Sequence, residues 1–362
     1  MRKWGISVIV FLLGTHPLLA QVDTTEVDLN HLPAPRLFQI ACAQCHGPDG
    51  RGYPDGAWRE LTALRVPPPD FTDPLFSSLE PLADWIGVIR EGGKPYGLSI
   101  QMPAFGEALS EEKIRELAEY LKSLGADPRY PPRELAYPRL LNATKPFPES
   151  EALWIVWQEN RPHRPTIRKA TLYWAQRWGP RRQWELKLTP EWSASSYEAL
   201  EVEVGFKQAL AHSLSAQWLL SAGLEAAFYL KGNEPWSLQP YLTGIKGLGE
   251  RAALHASLRL LYEPTSEEPA LLRWVLGGQL LMANRARLLA PAIEWVGERA
   301  LASGAPLHHR LVPQLFLTPP RRGHVALALG VEFPLHRQAS YRYRLRGFLL
   351  WEFLEGPFWE GW

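Results

Sequence analysis

The sequence predicts a multidomain protein in which a small all-α domain is followed by an antiparallel, transmembrane-type β-barrel of about twelve strands. Three observations support this prediction. Apolar residues recur at helical spacing before residue 125, a proline-rich stretch follows, and apolar and polar residues then alternate in long runs. A length of 362 residues accommodates more than one domain. The net charge of +1 lacks the basic excess of nucleic-acid-binding proteins, so no nucleic-acid partner is expected.

The first element is the N-terminal stretch "MRKWGISVIVFLLGTHPLLA", residues 1–20. It has a basic start at Arg2 and Lys3, an apolar run from Ile6 to Leu13, and a small residue, Ala20, at its end. These are the three parts of a secretory signal peptide. The apolar run is too short for a helix that spans a bilayer, which needs roughly 20 residues. The protein is therefore expected to be exported.

The stretch "ACAQCHGPDG" contains both cysteines of the chain, and His46 directly follows the second. In an exported protein, Cys42 and Cys45 fit a disulfide, half of a zinc site or a haem attachment pair. A helix here puts the cysteines one turn apart, with His46 four residues after Cys42 on the same face. A zinc site lacks a second cysteine pair. The C-x-x-C-H spacing favours covalent haem c, with His46 as iron ligand, over a redox-active disulfide of the thioredoxin type.

The sixth iron position separates an electron carrier from an enzyme, because chemistry on a substrate needs an open position. Met102, in "GLSIQMPAFGEALS", is the only methionine near the haem motif, and Pro103 stiffens the loop behind it. One alternative is that Met102 fills the core, and another is that His31 is the ligand. His31 lies in an N-terminal arm, where a surface histidine is expected. We therefore expect Met102 to be the second axial ligand.

Two apolar stripes predict further helices. The first contains Leu82, Trp85, Ile86 and Ile89 and stops at Gly92 and Gly93, and the second contains Ile114, Leu117, Ala118 and Leu121. Ser110 is a suitable N-cap for the second helix, and Gly125 ends it. The order of elements is then an attachment helix, a proline-rich loop, a middle helix, an M-P-x-F loop and a closing helix.

With this order of elements, residues from about 35 to 125 resemble a small class I cytochrome c. The resemblance implies one covalent haem c attached through Cys42 and Cys45, with His46 and Met102 as the axial ligands of the iron. We place this domain at residues 33–125 and a proline-rich linker at residues 126–150.

From residue 151 to residue 362 the apolar period changes to two, as in β-strands. In "YRYRLRGFLLWEF", the outward face is expected to carry Tyr341, Tyr343, Leu345, Leu349, Trp351 and Phe353, and the other face Arg342, Arg344, Arg346 and Glu352. Strands are predicted near Leu153, Leu172, Trp184, Val202, Leu220, Tyr241, Leu258, Val275, Ile293, Leu315, Leu327 and Leu345.

A soluble β-sandwich and an outer-membrane barrel both use such strands. A barrel turns the apolar face to lipid, keeps the charged face in a wet lumen, and needs strands of roughly 10 residues with aromatic girdles. Sandwich strands average about 5 or 6 residues, so the long runs that end in Trp or Tyr favour the barrel. The segments "TKPFPESEALW", "WAQRWGPRRQWELKLTPEW" and "EVEVGFKQALAHSL" also resemble the start of transporter-like barrels that follow a cytochrome c domain in some exported bacterial proteins. His308 and His309 point to opposite faces of a strand, so no metal site is expected there.

These features favour a haem c electron-transfer protein, not an enzyme, that its own barrel anchors in the outer membrane. An even strand number places both barrel termini, and with them the haem domain, on the periplasmic side. The expected partners are a redox partner protein or a periplasmic or extracellular electron donor, and outer-membrane lipid. One alternative is a porin-like channel that the haem domain regulates or plugs. Others are a soluble periplasmic cytochrome with a β-rich partner domain, and a haem enzyme.

Overall fold

The computed structural model describes residues 28–53, 67–194, 196–232, 235–284, 287–318, 325–336 and 339–353. The signal peptide predicted at residues 1–20 lies outside them. The chain divides into two compact units. The first contains the described residues up to Asp70 and from Ile86 to Leu121, and the second contains those from Phe71 to Trp85 and from Lys122 onwards. None of the described helices has the length and apolar character required to cross a membrane.

Helices form where the apolar stripes predict them. Their bounds are α1 Ala34–Ala41, α2 Ala43–His46, α3 Pro74–Leu79, α4 Leu82–Glu91 and α5 Glu111–Leu124, with short 3₁₀ helices at Leu29–His31, Lys94–Tyr96 and Arg133–Leu135. The predicted N-cap of α5 is confirmed, because Oγ of Ser110 accepts a hydrogen bond from the backbone N–H of Lys113 at 3.2 Å. Gly125 directly follows the last residue of α5, as the sequence predicts.

The core of the first unit contains residues of α1 and α5. Leu37 and Phe38 on α1 and Ile114 on α5 are fully buried. The ring of Phe38 contacts Tyr120 edge-on, with 6.1 Å between the ring centroids. Since Cys42 directly follows α1, this packing holds the start of the C-x-x-C-H motif at the end of a helix with one buried face.

The second unit contains a closed antiparallel β-barrel, as predicted. Its strands are β1 Glu151–Asn160, β2 Ile167–Trp178, β3 Arg182–Ser193, β4 Ser196–Ser213, β5 Trp218–Lys231, β6 Ser237–Gly247, β7 Ala252–Leu261, β8 Leu271–Leu280, β9 Met282–Asn284, β10 Arg287–Ala300, β11 Leu307–Leu317, β12 Val325–Pro334 and β13 Tyr343–Glu352. Each long strand pairs with the next long strand, and the ring closes where β13 pairs with β1. The short β9 pairs with the start of β10, so twelve long strands form the barrel. Every predicted strand centre falls inside one of them.

The outward face of the barrel is apolar and the inward face is polar, as the alternation predicts. Leu327, Leu329 and Leu345 are exposed on the outside. Arg344, on the inward face, donates hydrogen bonds to Glu159 at 2.6 Å and to Glu332 at 2.8 Å. The strands therefore separate a leucine-rich surface from a charged interior.

Tyr341, just before the last strand, does not follow the predicted alternation. It is 6% exposed, and its hydroxyl donates a hydrogen bond to the inward-facing Glu332 at 2.8 Å. It lies outside β13, so the period of two no longer sets the direction of its side chain. Phe353, just after the strand, packs against Trp174, an exposed residue on the outward face of β2, with 4.6 Å between the ring centroids.

Aromatic residues lie at both ends of the barrel. At the end where β1 begins, Trp184 packs against Trp178 at 6.3 Å and against Phe206 at 5.1 Å between ring centroids. At the other end, Trp295 packs against Trp274 at 6.1 Å and against His309 at 5.1 Å. Two aromatic bands of this kind flank the apolar surface of membrane barrels.

The described part of the lumen is packed, which differs from the wet lumen that the sequence predicts. Ala328 is 1% exposed in an apolar cluster that contains Phe316 and Phe348. Charged side chains are paired across strands, as Lys187 is with Glu225 at 2.9 Å. Such pairing limits the cost of burying charge where water is displaced.

Part of the predicted linker fills this lumen. Residues 135–150, called the lumen segment below, lie among the inward-facing side chains of the barrel. Their buried side chains form two apolar clusters with the wall: Leu135, Tyr137 and Phe147 with Ala209, Leu219, Ile245 and Ala253, and Leu140 and Ala143 with Val275, Val296 and Val312. The domain boundaries inferred from the sequence, at residues 33–125, 126–150 and 151–362, stay predictions.

Candidate functional site

The two cysteines and His46 lie at a break between α1 and α2. The backbone of Cys42 has φ −121° and ψ −34°, which ends α1. The carbonyl oxygen of Cys42 then accepts hydrogen bonds from the backbone N–H groups of Cys45 and His46, both at 3.0 Å. Cys42 and Cys45 are therefore one turn apart, as predicted. Both are half-buried, and they are not joined in a disulfide.

Burial sets the protonation of these side chains. Burial, with a smaller contribution from the neighbouring Cys45, raises the pKa of the Cys42 thiol to about 12. Burial also lowers the pKa of His46 to about 4. At neutral pH the imidazole is therefore uncharged, which is the form that binds a metal ion. The high thiol pKa of Cys42 is opposite to that of a thioredoxin-type cysteine, whose reactivity depends on a low pKa.

Glycines close the loop behind His46. The carbonyl oxygen of His46 accepts a hydrogen bond from the N–H of Gly52 at 2.8 Å. Gly47 has φ +75°, and a Cβ there would lie 2.4 Å from the carbonyl oxygen of Gly52. Only glycine fits this close approach with a left-handed backbone. Tyr53 adds a hydrogen bond from its hydroxyl to the carbonyl of Ala43 at 3.2 Å.

The loop that carries Met102 is tied to the end of α4. Phe105 N–H donates to the carbonyl of Ile89 at 2.9 Å, and Gly93 N–H donates to the carbonyl of Met102 at 3.1 Å. A Cβ on Gly92, which has φ +77°, would lie 2.8 Å from the carbonyl oxygen of Met102. Met102 itself is only half-buried. This position suits a side chain that binds a further group better than one that fills the core.

Exposed apolar side chains lie close in the sequence to both of these segments. Among the described residues of the first unit, the large apolar residues with exposed side chains are Ile40, Tyr96, Leu98 and Ile100, the last being 79% exposed. Ile40 is two residues before Cys42, and the other three lie within six residues of Met102. A porphyrin is a large apolar ring, so exposed apolar side chains next to these segments, together with the thiol, imidazole and thioether donors, fit haem c.

The structure places all four predicted site residues, Cys42, Cys45, His46 and Met102, in the first compact unit. Their roles in binding haem stay predictions. The rival ligand His31 lies on a 3₁₀ helix, where its side chain is 86% exposed and its Nδ1 is 2.7 Å from Oδ2 of Asp28. His31 is thus a surface histidine, as expected.

The contact of Gly92 and Gly93 with the Met102 loop was not predicted from the sequence, where the two glycines mark only the end of an apolar stripe. A second feature in the sequence pointed to this contact, because a Gly-Gly pair permits close approach of another backbone and the M-P motif follows about ten residues later. The exposed Ile100 was also missed, since an isolated apolar residue in a loop gives no periodic pattern.

Comparisons with known proteins match the two parts of the chain separately. Residues 32–121 match the model of the family described as cytochrome C oxidase, cbb3-type, subunit III. The barrel is similar to the NanC porin, with a TM-score of 0.42 and 10% identity over 55% of this chain and 98% of that chain. It is also similar to an outer membrane channel from Pseudomonas putida F1, with a TM-score of 0.42 and 13% identity over 59% of this chain and 98% of that chain. The comparison with curated proteins gave no match.

The matched residues include the C-x-x-C-H motif and Met102, and the barrel has the closed ring, outward leucines and aromatic bands of a membrane barrel. The chain therefore combines a region that matches a cytochrome c family model, residues 32–121, with a C-terminal closed barrel of twelve long strands that resembles outer membrane porins.

Proposed function

We propose that the protein is a haem c electron carrier that its own barrel anchors in the outer membrane, with the haem domain on the periplasmic side. The observation that carries this proposal is the covalent fusion of a cytochrome c domain to a barrel with an apolar outer face. One covalent haem c supplies reversible one-electron chemistry. Cys42 and Cys45 would hold it through thioethers, and His46 and Met102 would both bind its iron, so that no position would remain for substrate chemistry.

The outer face of the barrel supports the membrane location. A soluble protein rarely exposes a contiguous apolar surface larger than a few hundred Å². Here exposed leucines recur on strand after strand, for example Leu172, Leu224, Leu276 and Leu329. Lipid covers such a surface, and the aromatic bands at the two ends match the membrane interfaces. A soluble β-rich partner domain would expose these leucines to water.

The turn lengths support the orientation. At the end where β1 begins and β13 ends, the connections at residues 179–181, 214–217 and 248–251 have three or four residues, and the one at residues 318–324 has seven. At the other end, the connection at residues 194–195 has two residues, and the others have five to nine, at residues 161–166, 232–236, 262–270, 301–306 and 335–342. Outer-membrane barrels have short periplasmic turns and longer extracellular loops. The haem domain, which precedes β1 in the chain, is then periplasmic, where a soluble redox protein is the partner that exchanges electrons with it.

Cell fractionation tests the proposal. Full-length protein should appear as a haem-stained band in the outer-membrane fraction, and only detergent should release it. Protease added to intact cells should leave the haem domain whole, whereas protease added after the outer membrane is permeabilised should cut it. A haem-stained band in the soluble periplasmic fraction would contradict the anchor, and cleavage in intact cells would contradict the orientation.

Substitution of Met102 tests the assignment as electron carrier. A thioether ligand favours reduced iron, so Met102→His should lower the reduction potential by an amount on the order of 100 mV, because axial ligands tune haem potentials over about 0.8 V. Met102→Ala should open the position to carbon monoxide, measured by the absorption spectrum of the reduced protein. A matched control is Met282→Ala, which changes a methionine on β9 and should alter neither property. An unchanged spectrum in Met102→Ala would contradict methionine ligation and favour the haem enzyme.

A further inference from the structure

The lumen segment is bonded to the barrel wall along its length. Wall side chains from eight strands form hydrogen bonds with it: Gln183 of β3, Lys207 of β4, Ser221 of β5, Thr243 of β6, Arg259 of β7, Glu294 of β10, Gln314 of β11 and Arg346 of β13. These strands come from all sides of the ring. The segment is therefore part of the barrel interior and not a tether that passes its mouth.

Glu294 is the main anchor on one side of the segment. It is fully buried, and its carboxylate accepts hydrogen bonds from the backbone N–H of Asn142 at 3.1 Å, the side-chain amide of Asn142 at 2.9 Å and the N–H of Ala143 at 2.7 Å. Gln314 donates a further bond at 2.8 Å and accepts one from the N–H of Leu141 at 2.9 Å. A buried carboxylate with this many donors holds the backbone strongly.

The wall on the other side bonds the carbonyl groups of the segment. Ser221 donates from its hydroxyl to the carbonyl of Pro146 at 2.6 Å. Lys207 is 1% exposed and donates from Nζ to the carbonyls of Lys145 at 2.9 Å and Phe147 at 3.2 Å. Backbone polar groups at membrane depth must be satisfied inside the protein. The prolines of the segment reduce this demand, because each removes one N–H donor.

The wall is also shaped to the segment. A Cβ on Gly277 of β8 would lie 2.5 Å from Cδ1 of Leu140, and a Cβ on Gly330 of β12 would lie 2.5 Å from Cδ1 of Leu141. Only glycine at these two wall positions leaves enough space for the side chains of the two leucines. Complementary space of this kind indicates a fixed position and not a loop that enters the lumen by chance.

Ion pairs fix the segment where it leaves the lumen at the start of β1. Glu149 pairs with Lys145 at 2.6 Å and with Arg133 at 2.7 Å. Arg133 also pairs with Glu352, the last residue of β13. Glu149, Glu151 and Glu352 lie close enough together to suggest a metal site, but Arg133 and Lys145, together with Arg139 on Glu151, already neutralise them. The cluster therefore serves as a clamp on the segment.

From these contacts we propose that residues 140–149 are a resident plug that keeps the barrel closed to solutes. The barrel is then an anchor and not a porin-like channel, and it is closed by its own lumen segment. This inference concerns the barrel alone and stands independently of haem binding and of electron transfer. The wall around the plug carries charged and polar side chains beside the apolar ones that pack on it, so small hydrophilic solutes and ions are the species that the plug excludes.

Conductance of the full-length protein in a planar lipid bilayer tests the plug. Wild-type protein should give no steady channel current. Glu294→Ala leaves the Asn142 and Ala143 donors unbonded, so openings should become roughly tenfold more frequent or more. The matched control is Glu298→Ala on the same strand and the same face, because Glu298 binds the wall residues Arg310 and Arg273 and not the plug. That variant should stay as closed as the wild type.

A steady current from the wild type would overturn the proposal. A third variant replaces residues 140–147 with glycine and serine at the same length. If this variant, Glu294→Ala and Glu298→Ala all stayed as closed as the wild type, the proposal would also be overturned, because the wall itself would then close the lumen. Thiol labelling keeps the test decisive if Glu294→Ala does not fold. Ala143→Cys, at a position that is 4% exposed, should resist a water-soluble maleimide until the protein is denatured, with wild type as the blank. Rapid labelling of the folded protein would also overturn the plug.

Discussion

Changing both Cys42 and Cys45 to alanine is expected to abolish haem staining of the full-length protein on a denaturing gel. The two thioethers are the only covalent links proposed, and the chain has no other cysteine. Axial bonds from His46 and Met102 do not survive denaturation, so no stain should remain. The barrel should still fold, because neither cysteine lies in a strand. The folded barrel should therefore still migrate faster on a gel before boiling than after boiling.

Single substitutions and thiol counting separate the haem interpretation from a disulfide. Cys42→Ser or Cys45→Ser should leave one thioether and a weaker stain with a shifted absorption band. In denatured wild-type protein, no thiol should react with a maleimide either before or after reduction. A disulfide would instead release two reactive thiols after reduction. Staining that persists in the double alanine variant would show that the C-x-x-C-H motif does not attach the haem.

The strand positions could be predicted because each strand carries its own pattern. In "HVALALGVEF" the outward leucines and inward alanines alternate with the period of the backbone, and that period survives in β12 whatever the neighbouring strands contain. The end of the last strand shows the limit. Tyr341 is two residues before Tyr343, the first residue of β13, and its hydroxyl donates a hydrogen bond to the inward-facing Glu332 of β12.

The lumen segment could not be predicted for a different reason. Its prolines indicate an extended and stiff chain, but stiffness says nothing about location. The position of the segment is set by distant wall residues. Glu294, which bonds Ala143, is 151 residues away from it in the chain. Lys207, which bonds Lys145, is 62 residues away from it. No local pattern in "RLLNATKPFPESE" contains those partners. The one hint in the sequence was the number of charged residues on the inward faces of the strands, which indicated that they have partners inside the lumen.

The haem motif lies between these two cases. Cys42, Cys45 and His46 are contiguous, so their geometry follows from a single helical turn. Met102 is 56 residues after His46 in the chain, and the sequence suggested it only by elimination and by resemblance. The contact between Gly92 and Met102 depends on the close approach of two backbone segments. The structure shows this approach, because a Cβ on Gly92 would lie 2.8 Å from the carbonyl oxygen of Met102.

A single arginine on the lipid face is expected to destabilise the barrel strongly, and its cost should depend on depth. Leu329 and Leu335 are equally exposed, at 57% and 58%. Leu329 lies in the middle of β12, whereas Leu335 lies just beyond its end. A cation near the bilayer midplane costs about 2 to 4 kcal/mol, and one near the interface about 0 to 1 kcal/mol. Leu329→Arg should therefore lower the free energy of unfolding in lipid far more than Leu335→Arg, measured by denaturant titration in vesicles.

The matched pair also distinguishes a membrane barrel from a water-soluble one. In water, an arginine at either exposed position costs little, because surface substitutions are usually within about 0.5 kcal/mol of neutral. Leu329→Phe is a further control, since it keeps the position apolar and should cost little in lipid. If Leu329→Arg and Leu335→Arg were equally stable, and the purified protein stayed monomeric without detergent, the outward leucines would face water. The anchor would then be wrong, and a soluble cytochrome with a β-rich partner domain would take its place.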